Sequence, residues 1–403
     1  MRTHKLIYLL VLLCLLWAFS AAADEPRLEV HSWILTRYYV DVAEDANRSL
    51  VTGDITDVEK NSVFEAAERI SLYGTLRFDD GRTGYGEIYV HPWLAQSDPS
   101  FLYLESLYMD FPAGQDAKVR VGKGRNQTFG IVPHYGNRKF SNYSPFAEMF
   151  TMDRVLGLQY MKQSGPQSFA FGVLNASRPG HRMIGLTADN QIDNGPAALL
   201  ATTTPHLADR DAPDNRVGNL QVSSRIGQQF GDLSLGVSGR MGNLDDDDAA
   251  YLAARFPTYD DDRDFHRWGV DAMYKKAPYI LSVQYGEGDT GGIENDGYEI
   301  LLGVEPSKEC TGLWRDLSPA CKGIFVRYTK MDIDVPATVG SVWDAITWDT
   351  EQLAVSYVLP LKLDNAGFFK WLQFEYERNK EDAPAGAEEI PNDIFFVELF
   401  TAF

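Results

Sequence analysis

Through most of this chain, apolar and polar residues take turns in segments of roughly ten residues, set apart by turn-forming or acidic stretches. In Trp268, Val270, Ala272 and Tyr274 the apolar set alternates with Arg267, Gly269, Asp271 and Met273. The next run sets Tyr279, Leu281, Val283 and Tyr285 against Ser282, Gln284 and Gly286. Leu233, Leu235 and Val237 stand opposite Ser234, Gly236, Ser238 and Arg240. Leu220, Val222 and Ile226 stand opposite Asn219, Gln221, Ser223 and Arg225. A period of two is that of a strand, whose successive side chains point to opposite faces. One face here suits an apolar surrounding and the other suits water. No segment of convincing helical period interrupts the pattern, so the chain is expected to be all-β.

The amino-terminal end departs from this pattern. Arg2, His4 and Lys5 precede an apolar run from Leu6 to Phe19, and Ser20, Ala21, Ala22 and Ala23 then lead to Asp24. That order reads as a secretory signal peptide over 1–23, cut after Ala23, with a mature chain over 24–403. Cys14 lacks the small residues that precede a lipidated cysteine. No later stretch approaches the roughly twenty apolar residues of a spanning helix. A mature chain that lives in a membrane must therefore cross it with strands. The sequence carries 37 basic and 57 acidic residues, a formal charge of −20, and loss of Arg2 and Lys5 leaves 35 basic residues and −22. A charge of that sign excludes nucleic acid as a natural partner.

Alternation alone also fits a soluble β-sandwich, whose apolar face turns inward. Tyr274, Tyr279, Tyr285 and Tyr298 at strand ends favour instead a single antiparallel transmembrane β-barrel, which needs aromatic girdles at its two interfaces. Connections also fall into two length classes. Short ones include Lys275 to Pro278, Gly227 to Asp232, Gln163 to Pro166 and Pro112 to Asp116. Long loops lie near 41–65, 127–153, 176–214 and 242–265, with another at 335–347, and should all emerge on one side. Candidate strands fall near 27–41, 67–79, 85–95, 101–111, 117–125, 154–163, 167–176, 216–227, 232–242, 266–275, 279–287, 297–305, 323–331, 348–361, 367–379 and 392–403. That makes about sixteen, within a range of 14–18.

In the closing run, Phe395, Val397, Leu399, Thr401 and Phe403 occupy one face. This resembles the carboxy-terminal signature of outer-membrane proteins. The resemblance implies that the barrel assembly machinery reads Phe403, and that the surroundings are outer-membrane lipid and lipopolysaccharide. The last strand is expected to pair with the segment around Leu28 to Val40, because a barrel must leave no open edge.

Between about Ala117 and Ser177, Val119-Arg120-Val121-Gly122-Lys123-Gly124 is followed by a long polar and aromatic loop. Beyond it come Asp153-Arg154-Val155-Leu156-Gly157-Leu158-Gln159 and Phe171-Gly172-Val173-Leu174-Asn175-Ala176. This arrangement resembles the phosphate-selective porin (porin O/P) family. The resemblance implies an outer-membrane channel for passive diffusion of small hydrophilic solutes, with a preference for anions left open, and with no catalysis and no cofactor. Association of three barrels, as in many porins, stays open. That family lines its channel with many basic residues. Here the polar faces offer a scattered set, Lys118, Arg120, Arg225, Arg240, Arg267 and Arg327, beside Asp271, Glu299, Glu375 and Glu377. Mixed charge of this kind either orients a hydrated solute in a transverse field or simply solvates a wet lumen.

The stretch from Gln127 to Met152 is rich in aromatic residues and suits a loop folded into the pore, with Arg138 and Lys139 as selectivity candidates. A loop packed on the rim or on a neighbouring subunit is the alternative. Cys310 and Cys321 suggest a disulfide across a surface loop, against two free thiols or half a metal site. Asp245 to Asp248, Asp260 to Asp262 and Asp264 fall in one outer loop. They read as a solvated surface or as a calcium site bridging lipopolysaccharide. No metal site is assigned. His31 and His266 fall in predicted strands and are expected at interfaces. Motifs of hydrolases, zinc proteases and phosphate loops are missing. The competing functions are a structural barrel that sheathes a partner such as a multihaem cytochrome and, behind it, a barrel enzyme. The chain has no Cys-x-x-Cys-His of its own.

Overall fold

The computed structural model describes residues 26–41, 62–90, 102–131, 139–141, 143–151, 154–175, 178–181, 207–210, 220–244, 246, 249–250, 253, 260–305, 323–334, 349–361, 369–382 and 393–402. The strands are β1 (Arg27–Asp41), β2 (Ser62–Arg77), β3 (Thr83–Val90), β4 (Leu102–Pro112), β5 (Ala117–Arg125), β6 (Arg154–Ser164), β7 (Gln167–Asn175), β8 (Arg178–His181), β9 (Leu207–Arg210) and β10 (Leu220–Phe230). They continue with β11 (Leu233–Asn243), β12 (Asp264–Lys276), β13 (Tyr279–Thr290), β14 (Glu294–Val304), β15 (Gly323–Asp334), β16 (Asp349–Pro360), β17 (Phe369–Asp382) and β18 (Ile394–Ala402). Sixteen of them close into one antiparallel barrel, while β8 and β9 pair separately in the connection between β7 and β10.

Closure is made by the two ends of the described chain. β1 pairs with β18 from Trp33 opposite Ala402 to Asp41 opposite Ile394. Phe395, Val397, Leu399 and Thr401 lie on the outer face, and Phe403 itself is outside the described residues. On the inner face Phe400 lies flat on Trp371, with centroids 4.0 Å apart, and against Trp33 at 5.4 Å.

The alternation read from the sequence becomes an inside and an outside. Ile226, Val237, Val270, Val283, Ile300, Val326 and Val355 all point outward and are exposed. An apolar belt of that extent is unstable against water and calls for hydrocarbon. Aromatic rows border it. Trp268 and Tyr285 (5.4 Å) and Tyr298 and Tyr328 (5.9 Å) lie toward the long-loop end. Tyr160 and Phe169 (6.2 Å) and Tyr357 and Phe374 (6.3 Å) lie toward the short-turn end. Tyr279 and Tyr285 on β13 are separated by about 20 Å of strand at ~3.4 Å per residue, near the ~25 Å apolar band of outer-membrane barrels.

Strand positions match the alternation closely, and β5 spans the expected residues. β2 and β3 depart most, starting earlier than expected. Register shifts between Leu35 and Arg37 and between Glu87 and Ile88 break the period there. Long loops leave one end and short turns the other, with one exchange. β13 and β14 meet over a three-residue turn at the long-loop end, while the connection between Val304 and Gly323 starts and finishes at the short-turn end. Cys310 and Cys321 belong to that connection and lie outside the described residues.

Candidate functional site

The chain leaving β5 turns into the barrel and is tied to its wall. Ser223 Oγ donates to the Thr128 carbonyl (3.2 Å), the Gly130 amide to Ser238 Oγ (3.0 Å) and the Ile131 amide to Gln284 Oε1 (2.7 Å). On the opposite wall the Ser141 amide donates to Glu375 Oε2 (2.6 Å), and Arg37 Nη2 donates to the Ser141 carbonyl (3.2 Å). Ser144 Oγ donates to Glu299, and Arg267 Nη1 donates to the Met149 carbonyl. These bonds reach β1, β10, β11, β12, β13, β14 and β17, so the loop crosses the lumen.

Apolar seating adds to them. Phe129, Phe146, Met149 and Phe150 pack with Phe265, Ile293 and Met331, and Tyr143 and Ala147 pack with Trp33, Tyr89 and Phe400. Phe140 packs with Ile280, Phe325 and Ala354. Each such large side chain contributes about 1.5–3 kcal/mol when fully buried. Room is left on the wall for them: a Cβ at Gly286 would lie 3.0 Å from the Phe150 ring. The loop reaches the far end of the barrel, where Lys139 Nζ meets Glu305 Oε1 (2.8 Å) just past β14, and Lys275 Nζ joins the same carboxylate (3.2 Å). Burial works to raise the Glu305 carboxyl, but the Lys139 hydrogen bond and charge, with Lys275, hold it below the usual carboxylate range.

Charges on the lumen wall are sorted. β10, β11 and β12 present Arg225, Arg240 and Arg267 inward against Asp271. β14, β17 and β18 present Glu299, Glu375, Glu377 and Glu398 against Arg327 of β15 and Arg37 of β1. β11 and β1 lie on opposite sides of the sixteen-strand ring. Arg225 Nε reaches Asp271 Oδ2 (3.0 Å) across β11, passing over Gly236, where a Cβ would collide with both side chains. Arg327 Nη2 donates to Gln352 (2.6 Å) and lies 3.6 Å from Glu377, with its guanidinium 4.4 Å from the Phe140 ring centroid. Arg240 and Arg267 lie over the Phe265 ring, at 5.4 and 4.7 Å. Arg120 and Lys118 share Asp110 (2.8 and 2.7 Å), and a groove of about 390 Å³ lined by Lys118, Gln127, Ser168 and Arg225 continues along that wall.

Of the residues singled out from the sequence, Lys118, Arg120, Arg225, Arg240, Arg267, Asp271, Arg327 and Glu375 therefore face the lumen. Lys139 lies at its short-turn end, and Arg138 is outside the described residues. Sequence reasoning did not pick out Arg37 and Glu398 (2.7 Å), Glu105 between Arg125 (3.2 Å) and Arg154, or Glu305. Arg37 and Glu398 pair across strands, a match visible only once the register of the first and last strands is fixed. His31, expected at an interface, faces the lumen against Tyr73. In the acidic outer loop Arg263 pairs with Asp246 and Asp261. No group of three or more His, Cys, Asp and Glu among the described residues is placed to hold a metal ion.

No protein-family model and no curated protein matches the chain in sequence. Solved structures do match in shape. OmpF of Salmonella typhi, in complex with daunomycin, aligns with a TM-score of 0.55 at 10% identity, over 95% of this chain and 99% of that one. An anion-selective porin from Comamonas acidovorans aligns with a TM-score of 0.52 at 12% identity, over 94% and 100%. OmpT of Vibrio cholerae, an outer membrane protein in its trimer form, aligns with a TM-score of 0.51 at 10% identity, over 94% and 99%. The chain thus has the sixteen-stranded fold of bacterial outer-membrane porins.

Proposed function

We propose that the protein is an outer-membrane channel for passive diffusion of small hydrophilic solutes. The observation that carries this reading is the inward loop: it crosses a lumen lined by charged and polar side chains inside a barrel whose outer surface is an apolar belt. A solute would enter between the long loops, pass the loop over 127–151, and leave at the short-turn end. The segregated walls support a transverse field that orients dipolar or charged solutes. Because Arg120, Arg225 and Arg37 each meet a carboxylate, ion preference should be modest, with phosphate one anion among several rather than a specific cargo.

The loop also weighs against a barrel that sheathes a protein partner, since it occupies the middle of the space a partner would need. Location in the outer membrane, contact with lipopolysaccharide, assembly through Phe403 and association of three copies belong to the same proposal. Planar-bilayer recording tests it. Discrete open steps with a small reversal potential across a salt gradient are the expected result. Electrically silent insertion of folded barrel would overturn the channel reading.

A further inference from the structure

Five neighbouring strands place one planar group each in a row on the lumen wall, close to the short-turn end. They are His31 on β1, Tyr73 on β2, Tyr85 on β3, Tyr108 on β4 and Arg120 on β5. Ring centroids are 5.2 Å apart from His31 to Tyr73, 6.1 Å from Tyr73 to Tyr85 and 5.3 Å from Tyr85 to Tyr108, with interplanar angles of 29, 36 and 27°. The Arg120 guanidinium carbon lies 3.6 Å from the Tyr108 centroid and ends the row. Rings inclined to one another by 27–36° at these separations are offset and overlap only in part. Part of each ring therefore stays open, and the three tyrosines are half-buried while His31 is exposed.

Register builds the row. His31 stands opposite Tyr73, and Tyr85 stands opposite Tyr108. Tyr108 stands opposite Gly122, whose φ is +128° and whose Cβ would strike the Leu107 carbonyl. A Cβ at Gly124 would meet the Tyr108 ring at 3.0 Å. The Gly-Lys-Gly run singled out in the sequence thus clears the space in which Tyr108 lies. Tyr85 and Tyr108 belong to none of the three apolar clusters that seat the loop. Polar groups border the rings. Tyr85 donates to Glu87 Oε2 (2.8 Å), Ser71 donates to Glu87 Oε1 (2.7 Å), and Asp110 lies between Arg120 and Lys118.

We propose that this row is a binding strip for neutral sugars. The C–H face of a sugar ring carries slight positive charge and suits the negative face of an aromatic ring. Its hydroxyls both donate and accept, and so can use Glu87 and Asp110 together with Arg120 and Lys118. Two carboxylates and two cations on the same wall balance, so a net charge on the solute gains nothing there, and a bare aromatic solute would leave these polar groups unused. The intervals along the row are of the size of one monosaccharide unit, so a short oligosaccharide could contact several rings at once. The strip lies beyond the constriction loop, where Tyr73 touches the cluster around Tyr143, and would hold a sugar at the exit of the pore.

The proposal extends the channel reading, and its test separates the two. Maltotriose should block single-channel current saturably and with higher apparent affinity from the short-turn side, whereas glycerol at equal mass should lower current only in proportion to its concentration. Tyr85→Leu and Tyr108→Leu, checked for folding by far-UV circular dichroism, should each raise the half-blocking concentration about tenfold. Calorimetry in detergent micelles reads the same binding without conduction. A silent barrel that binds maltotriose and loses it in Tyr108→Leu sinks the channel and keeps the strip. Maltotriose behaving as glycerol does, unchanged affinity in both folded variants, or saturation by benzoate instead would overturn it.

Discussion

At the scale of single residues, the pair formed by Arg225 and Asp271 shows how the wall sets its own charge. The two side chains come from β10 and β12 and meet over Gly236 of the strand between them. Asp271→Asn should release the Arg225 charge into the lumen and move the reversal potential toward anions. Gly236→Ala should move it the same way by forcing the pair apart. If a salt-gradient measurement shows neither change, the pair does not face the conducting path. Arg240, Arg267 and Asp271 were readable as lumen residues because their strands keep a strict period of two. Arg37, Glu105 and Glu398 were not, because their importance depends on partners set by register and by a bulge rather than on local pattern.

The inward loop is the element on which the proposed channel function turns, and its far anchor is Lys139 on Glu305. A carboxyl held below its ordinary value stays ionised through neutral pH. Its contribution is complete above the unfolded value of about 4.3 and fades as pH falls through the lower, folded one. Loop anchoring should therefore be insensitive to pH from 7 down to about 4 and weaken below that. Open-channel noise recorded down the pH scale should rise only in that acid range, while Glu305→Gln should be noisy already at pH 7. A variant as quiet as the parent would remove the anchor from gating. The length and aromatic content of the loop were legible in the sequence. Its path was not, since Ser141 finds Glu375 some 234 positions away, and no local pattern encodes a contact of that range.

For the whole molecule, strand number, order and the outward apolar belt followed from alternation and turn chemistry. These are local signals repeated many times, so single errors at β2 and β3 did not disturb the count. The seam between β1 and β18 carries a buried ion pair, Arg37 with Glu398. Removing one partner leaves a buried charge, at a cost of about 3–5 kcal/mol, whereas a well-packed apolar pair restores most of it. Glu398→Leu should therefore lower the temperature of the heat-induced gel shift, and Arg37→Met with Glu398→Leu should recover it. Equal loss in the single and double variants would mean that the pair specifies the seam rather than stabilising it.

That seam also governs how the molecule comes into being. Its two sides are separated by 361 positions, so the closing contact has the largest entropic cost of any in the barrel. Before it forms, every other strand can pair and still leave a sheet with two bare edges, each a row of unpaired amides and carbonyls open to other copies. Closure of the seam is thus expected to come after the local hairpins, and the edges that wait for it are where pairing with other copies should start.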